Sequence, residues 1–514
     1  MNRRARLLRL ALGMTLAVAG VIVAWRSKPS ERRILIPDAC RTPARVLQPA
    51  PGAAAGAVVV FHGLSASAAV MEPIGQSFAA AGWRVYLLDL PGHGRSSERF
   101  SYAGAESCAA AAVDWLARTG AIERGETVLL GHSLGGAVAV RLAERFPAAA
   151  TIAISPALLA LPRRAPPNLL VLTAQFDFTP VKRRAAELVA LAGGARQSAD
   201  DFLDRRAVEL RRVSGATHGG MILDPRVWKL AVDWSGRARA ATPGAAAARL
   251  SQPAPLAAKN PIAAPAAALL ATLAFLAGLV LLVAPVETLL ARICGMKPVI
   301  TQPAGIAWKT AVGYWTLGSF LAVSSLGLTR AAQWLRPVWL DGGDWAALVA
   351  LVTGVVLLAL SRRREAFRAQ PWELLFAALA GIAILVIFAV ALNPELVELA
   401  DSPARLWRFF VLVPFTWPYF AAEEMILGAP RGWKRLVLFL ALRAVVWLAQ
   451  AFAVLVFWRW GLLMILLVLE FLIVSVGQRL AADALRRRGA DVPAAALFDA
   501  ILAAGMLASV LPLT

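Results

Sequence analysis

The sequence predicts two structural classes in one chain: an α/β domain built on a parallel sheet, followed by an all-α bundle of apolar helices. Three observations predict this. Residues 57–235 alternate short β-rich runs with helical patterns, as parallel strands joined by crossover helices do. After about residue 260 the chain runs in apolar blocks of roughly 20 residues, the length that spans a hydrocarbon core. All four histidines, His62, His93, His132 and His218, fall in the first part, so the two parts cannot share one chemistry.

Taken in order, residues 1–26 read as an N-terminal transmembrane signal anchor. Arg3, Arg4 and Arg6 precede an apolar run from Leu7 to Trp25. That run is long for a cleaved signal peptide, and a small-x-small site is not obvious just before Arg26. Residues 31–240 form the α/β domain. Its strand-like runs are 57–61, 84–89, 127–131, 151–155, 169–174 and 208–213, with helical patterns at 67–81, 103–118, 135–145, 181–192 and 225–238. Residues 241–260 are an Ala/Pro-rich linker. Residues 261–514 read as a membrane domain of about eight transmembrane helices, near 262–286, 304–327, 344–361, 371–392, 406–427, 435–457, 460–478 and 493–512.

Composition agrees with this division. Hydrophobic residues make up 59% of the chain and charged residues 17%, below the usual quarter for soluble domains. The net charge of +21 resides mostly in arginines at the ends of apolar blocks, such as Arg362 to Arg364 and Arg486 to Arg488. Such clusters set orientation under the positive-inside rule. No basic stripe with interleaved aromatics appears, which argues against nucleic acid as a partner. With residues 26–260 outside, the basic loops alternate inward, and only Arg330 to Arg336 is out of place. The expected location is a bacterial inner membrane with the α/β domain on its extracytoplasmic side. Cys40, Cys108 and Cys294 have no metal spacing and make no even framework. An exported domain leaves a Cys40–Cys108 disulfide open.

The residues that carry chemistry follow predicted strands, where ligands sit in such sheets. Gly131-His132-Ser133-Leu134-Gly135 follows an apolar strand and opens a helix. This is the context of a G-x-S-x-G nucleophile elbow. Glycines let the backbone fold back tightly, so that the Ser133 hydroxyl is presented and the Leu134 N–H lies at a helix N-terminus, facing a developing oxyanion. A serine hydroxyl needs a base held by an acid. His218 follows the last strand and Asp177 the one before it, in the order Ser, Asp, His that this elbow goes with. Leu64, after His62-Gly63, is the candidate for the second oxyanion N–H. His62, His93 and Asp89 read as loop braces, and His132 as packing at the elbow. Asp200, Asp201 and Asp204 read as a solvated helix face.

Together, His62-Gly63, Asp89-Leu-Pro-Gly-His93-Gly-Arg-Ser96 and Gly131-His-Ser-Leu-Gly135 resemble the α/β-hydrolase superfamily, and within it the monoacylglycerol lipase and serine aminopeptidase group. The resemblance covers roughly residues 35–240. It implies a Ser133–Asp177–His218 triad that cleaves an ester, or less often an amide, through an acyl-enzyme. That chemistry requires no metal and no cofactor. The group places a cap after the sixth strand, but residues 155–168 are too few for a helical one, so this domain is expected to be cap-less. Pro156 to Arg164 is apolar with a basic end, which suits the lipid interface. The expected partners are therefore a small-molecule or lipid-like ester and the bilayer. Two other readings stand beside this one: a serine peptidase of the aminopeptidase type, and a membrane scaffold or transporter with a non-catalytic hydrolase-like domain. The sequence leaves the oligomeric state open.

In the apolar half, Glu423 and Glu424 are the candidate functional residues, since ionisable groups within a span are costly. Arg443 on the next span is a possible partner. The Glu pair resembles the membrane-embedded CAAX-protease-like family, but that pattern wants an arginine at position 428, where this chain has Gly428. An ion pair is the plainer expectation.

Overall fold

A computed structural model describes residues 3–26, 31–49, 56–242, 343–361, 370–392, 402–428 and 490–510, with scattered positions elsewhere from 267 to 486 and at Leu513. Two compact units divide near residue 277. Helix α1, Arg3–Arg26, holds the apolar stretch Leu7–Gly20.

The first unit is an eight-stranded sheet in the order β1-β2-β4-β3-β5-β6-β7-β8. The strands are β1 Glu31–Leu35, β2 Pro43–Leu47, β3 Ala57–Phe61, β4 Arg84–Leu88, β5 Thr127–His132, β6 Ala150–Ile154, β7 Leu169–Phe176 and β8 Val208–Thr217. From β4 to β8 all neighbours run parallel. The six strands expected from the sequence are all present. Missing from that expectation was the antiparallel hairpin of β1 and β2, which extends the sheet beyond β4. Its residues Glu-Arg-Arg-Ile-Leu and Pro-Ala-Arg-Val-Leu do not read as strands, because a charge sits where a core residue is expected. The structure accommodates that charge: Arg45 of β2 is buried and bridges Glu31 at 2.7 Å and Glu72 at 3.0 Å.

Alternation along β3 divides the core between the two faces of the sheet. Val58 and Val60 pack with Ile74 and Phe78 of α2 (Glu72–Ala80) and Trp228 of α7 (Pro225–Ala240). Val59 and Phe61 pack with Ala109 and Val113 of α3 (Tyr102–Arg118) and Val138 of α4 (Leu134–Leu142). Helix α5, Thr179–Leu191, covers Val140, Ala153 and Val171 on the second face. A short α6, Ala199–Leu203, begins with a capping box at Ser198. Asp224 caps α7, whose first position is Pro225, a placement that suits a residue without an N–H. The connection from β6 to β7, residues 155–168, contains no helix, as expected.

In the second unit four long helices are described: α8 Gly343–Ser361, α9 Pro371–Leu392, α10 Pro403–Ile426 and α11 Val492–Val510. They coincide with four of the expected spans. The other four expected spans fall mostly outside the described residues. Among the described residues, one helix, Val492–Ser509, is long and apolar enough to cross a membrane, with a mean hydropathy of 1.7. Shorter apolar stretches occupy Ala350–Ala359 and Pro371–Val386.

Helices α10 and α11 run antiparallel. At one end the buried Arg405 guanidinium donates to the carbonyls of Ala508 at 2.7 Å and Ser509 at 2.9 Å. At the other end Trp417 Nε1 donates to the Pro493 carbonyl. The arginine thereby satisfies carbonyls that a helix C-terminus leaves open. Small residues permit close helix contact: a Cβ at Gly354 of α8 would collide with the backbone of Pro418 and Tyr419 in α10.

Cys40, just before β2, is disulfide-bonded to Cys108 of α3 across a sequence separation of 68. Closing a loop of that length restricts the unfolded chain by about 4 kcal/mol in the chain-entropy account. The Cys40→Ser/Cys108→Ser protein should lose stability of that order in non-reducing urea unfolding, and dithiothreitol should lower the parent protein to the same level. A parent midpoint indifferent to dithiothreitol would show that the bridge contributes nothing.

Candidate active site

The site is assembled at the carboxyl ends of β3, β5, β6, β7 and β8, and its geometry starts from Ser133. This residue sits between β5 and α4 at φ 53° and ψ −114°. That region is sparsely populated for residues with a side chain and costs on the order of 1–3 kcal/mol. The surrounding glycines make it possible. A Cβ at Gly131 would run into the Gly135 carbonyl, and one at Gly135 into the Phe61 carbonyl at the end of β3. Gly63 approaches as closely: a Cβ there would stand 3.0 Å from His132 Nδ1 and 3.2 Å from Ser133 Cβ. The 62–65 loop, with Leu64, is thus drawn against Ser133. Leu134 is the first residue of α4, so its N–H is among those left without an intrahelical partner.

His218 follows β8 as the residue before a 3-10 turn, Gly219–Leu223. Its Nδ1 lies 2.6 Å from Asp177 Oδ1. Both side chains are buried, and His218 Nε2 has no hydrogen-bond partner. A proton fixed on Nδ1 by Asp177 leaves Nε2 as a free lone pair, which is what a general base needs. Asp177 is held by more than the histidine. Its Oδ2 accepts from Ser155 Oγ at 2.5 Å and from the Ala174 N–H at 2.9 Å. Burial pushes the Asp177 carboxyl up, yet the hydrogen bonds from His218, Ser155 and Ala174 outweigh it and hold the group below the usual carboxylate range.

Ser155 carries no sequence motif. It stands at the end of β6 at φ 44°, fully buried, and its role appears only once β6 and β7 are paired. His132 packs at the elbow, as expected, and touches more than expected. Its Nε2 lies 3.0 Å from the His218 carbonyl oxygen, and the two rings are 4.9 Å apart. Burial, with the neighbouring His218 second, pushes His132 down to about 3, so it stays neutral. The remaining two histidines brace loops. His62 Nε2 accepts from the Leu90 N–H while Nδ1 faces the Gly63 carbonyl. His93 Nε2 accepts from the Ser65 N–H while Nδ1 faces the Pro91 carbonyl. Asp89 accepts from the N–H groups of Ala68 and Arg95. Loop 62–68 is therefore fastened to loop 89–95 from several directions. Among the described residues no group of three or more His, Cys, Asp or Glu is placed to hold a metal.

Residues 52–198 match the family described as serine aminopeptidase, S33. The domain is a serine hydrolase. No curated protein matches the chain. Solved structures similar to it include an esterase/lipase from an uncultured bacterium, at 15% identity over 47% of this chain and 99% of that one, TM-score 0.33. A dienelactone hydrolase from Anabaena variabilis is similar at 22% identity over 40% and 96%, TM-score 0.31. A lid-less α/β serine hydrolase from Xanthomonas campestris is similar at 16% identity over 44% and 97%, TM-score 0.32.

Because the folded Asp177 carboxyl lies below its ordinary value, its interactions stabilise the fold above the unfolded carboxyl value near 3.9. That contribution is lost as pH falls through the lower folded value. Urea unfolding between neutral pH and about pH 2 should therefore show a shallower acid decline in Asp177→Asn than in the parent protein. Parallel curves would mean that Asp177 is not held in this way.

Proposed function

We propose that the domain cleaves a carboxylic ester with an acyl or lipid-like portion, through an acyl-enzyme formed on Ser133. The observation that carries this reading is the strained Ser133 turn, whose neighbour His132 packs 4.9 Å from the His218 ring, itself buried and paired with Asp177 at 2.6 Å. In the reaction, Ser133 Oγ attacks the ester carbonyl as its proton passes to His218 Nε2. Asp177 holds the imidazole by Nδ1 and stabilises the imidazolium that forms. The N–H groups of Leu64 and Leu134 receive the oxyanion. His218 then gives its proton to the departing alkoxide, and a water activated by the same nitrogen releases the acid. Ser155 acts through Asp177, keeping its carboxylate in line.

The substrate class follows from what surrounds the strand ends. With no helix in residues 155–168, nothing of that segment forms a cap. Leu159, Phe176 and Leu223, in the segments after β6, at the end of β7 and after β8, are exposed, Phe176 by 62%. These apolar side chains suit an acyl chain or a lipid surface. The membrane reading draws on the arginine-flanked apolar segments, on Val492–Ser509 and on close glycine-mediated helix packing. The Cys40–Cys108 bond suits an oxidising compartment, hence an extracytoplasmic hydrolase domain anchored by the helices. The description of the matched family also keeps an aminopeptidase reading in play; aminoacyl arylamides are the substrates that separate the two.

A fluorophosphonate probe should label the full chain in membranes and fail to label Ser133→Ala, whose turnover should fall by about a millionfold. Equal labelling of both would remove Ser133 from the nucleophile's role. Among p-nitrophenyl esters, activity should rise with chain length and with micelle formation; a preference for acetate over micellar substrates would end the lipid reading. Ser155→Ala loses a hydrogen bond to a charged group, worth about 1.5–3 kcal/mol, so kcat should fall roughly tenfold to a hundredfold with KM little changed. An unaltered kcat would leave Ser155 a merely structural residue.

A further inference from the structure

The second unit buries a set of charges that the hydrolase reading does not use. Four helical segments contribute: Glu423 and Glu424 from α10, Arg443 from the segment after it, Arg479, Asp483 and Arg486 from residues 475–486, and Asp499 from α11. Glu423 pairs with Arg443 at 2.9 Å, and Glu424 pairs with Arg479. Arg479 also bridges Asp483 at 2.6 Å, and Arg486 Nε lies 3.6 Å from Glu424. Arg486 further faces Glu373 of α9 and Asp491. None of these ion pairs includes Asp499.

Asp499 is 1% exposed, and its Oδ1 has no hydrogen-bond partner. The neighbouring Gln478 amide donates to the backbone carbonyl of Asp499 rather than to its carboxyl. Asp499 lies within the electrostatic reach of Arg479, Glu424, Glu423 and Arg443. Besides guanidinium nitrogens of Arg443, Arg479 and Arg486, two uncharged donors among the described residues of this core are buried without a hydrogen-bond partner. The Tyr419 hydroxyl, on the helix that carries the glutamates, is one, and Trp315 Nε1 is the other, with ring centroids 4.9 Å apart. Among the described residues Asp499 is thus a buried carboxylate that takes part in none of the ion pairs around it. An uncompensated buried carboxylate is not a tolerable state of a helical core.

We propose that Asp499 is the site at which the helical unit takes up one monovalent positive charge, as a proton or an alkali-metal ion. In the proton case the carboxylate takes H⁺ from water and becomes a neutral acid. In the alkali case the ion coordinates the carboxylate, and no bond breaks. A divalent cation is disfavoured, because it would overcompensate a single carboxylate close to Arg443 and Arg479. The proposal does not depend on the hydrolase reading.

The test uses the full chain in detergent, compared with Asp499→Asn and Asp499→Glu, each checked for helical content. Infrared spectra over a pH series report the proton. The parent should show the carbonyl stretch of a neutral carboxylic acid, lost reversibly as pH rises, absent from Asp499→Asn and displaced in Asp499→Glu. Thermal unfolding in sodium, potassium or choline chloride at equal ionic strength reports the alkali ion. There the parent should melt higher in one alkali salt than in choline, with no difference in Asp499→Asn. Either response assigns the source of the charge. A parent with neither the neutral-acid band nor an alkali-specific shift overturns the proposal, as does either signal surviving in Asp499→Asn. Should Asp499→Asn fail to fold, the band displacement in Asp499→Glu, or its absence, decides the same question.

Discussion

Ser133 is held in a backbone conformation that most residues avoid, and the arrangement of the hydrolase domain around it can be traced to how that turn is kept. The turn closes only because Gly131 and Gly135 lack side chains: one faces the other's carbonyl, and the second lies on the carbonyl of Phe61. That contact ties the head of α4 to the end of β3. Gly63, the residue after the next, is in turn brought against Ser133 and His132. One steric constraint therefore links the nucleophile candidate, the helix N-terminus behind it and the loop carrying the second oxyanion donor candidate. The strain, of order 1–3 kcal/mol, is offset by a core in which β3, β5 and β6 are buried along their length.

The acid–base side of the site is held by hydrogen bonds rather than by sterics. Asp177 receives three, from His218, Ser155 and the Ala174 N–H, which is how a buried carboxylate avoids the cost of desolvation. Ser155, at φ 44°, is a second strained serine at a strand end, and its strain aims a hydroxyl at Asp177. His132 fills the space on the other side of His218 as a neutral ring, because burial suppresses its charge. A second cation beside the imidazolium proposed to form in acyl transfer would oppose it. The four histidines thus divide their work: one is paired with the acid, one packs against it, and two fasten the loops.

The helical unit meets the cost of buried polarity differently. Arg405 of α10 serves the open carbonyls of Ala508 and Ser509. Deeper in, Glu423 and Glu424 find Arg443 and Arg479, while Pro414 and Pro418 interrupt α10 near the close approach of Gly354. Proline removes a backbone donor, and the small residue on α8 lets the helices meet where the ladder is broken. The expectation that Glu423 pairs with Arg443 is realised. The sequence could not assign Arg479 to Glu424, since 55 residues separate them.

What the sequence determined by itself was whatever repeats locally. Strand and helix periods in residues 57–238, the glycine spacing around Ser133 and four of the apolar helices were legible because each depends on neighbours a few residues apart. The candidates Ser133, Asp177 and His218 were legible because each follows a strand and their order matched a known turn. Only the tertiary structure decided the rest. The β1–β2 hairpin was hidden by Arg45, whose charge makes sense only beside Glu31 and Glu72. The Cys40–Cys108 bridge depended on bringing the hairpin to α3. Ser155 acquired a role only when β6 met β7, and Asp499 became conspicuous only when it proved to be in none of the ion pairs around it. In each case the deciding energy is a pairing between groups distant in sequence, and burial or hydrogen bonding across such distances leaves no period in the chain.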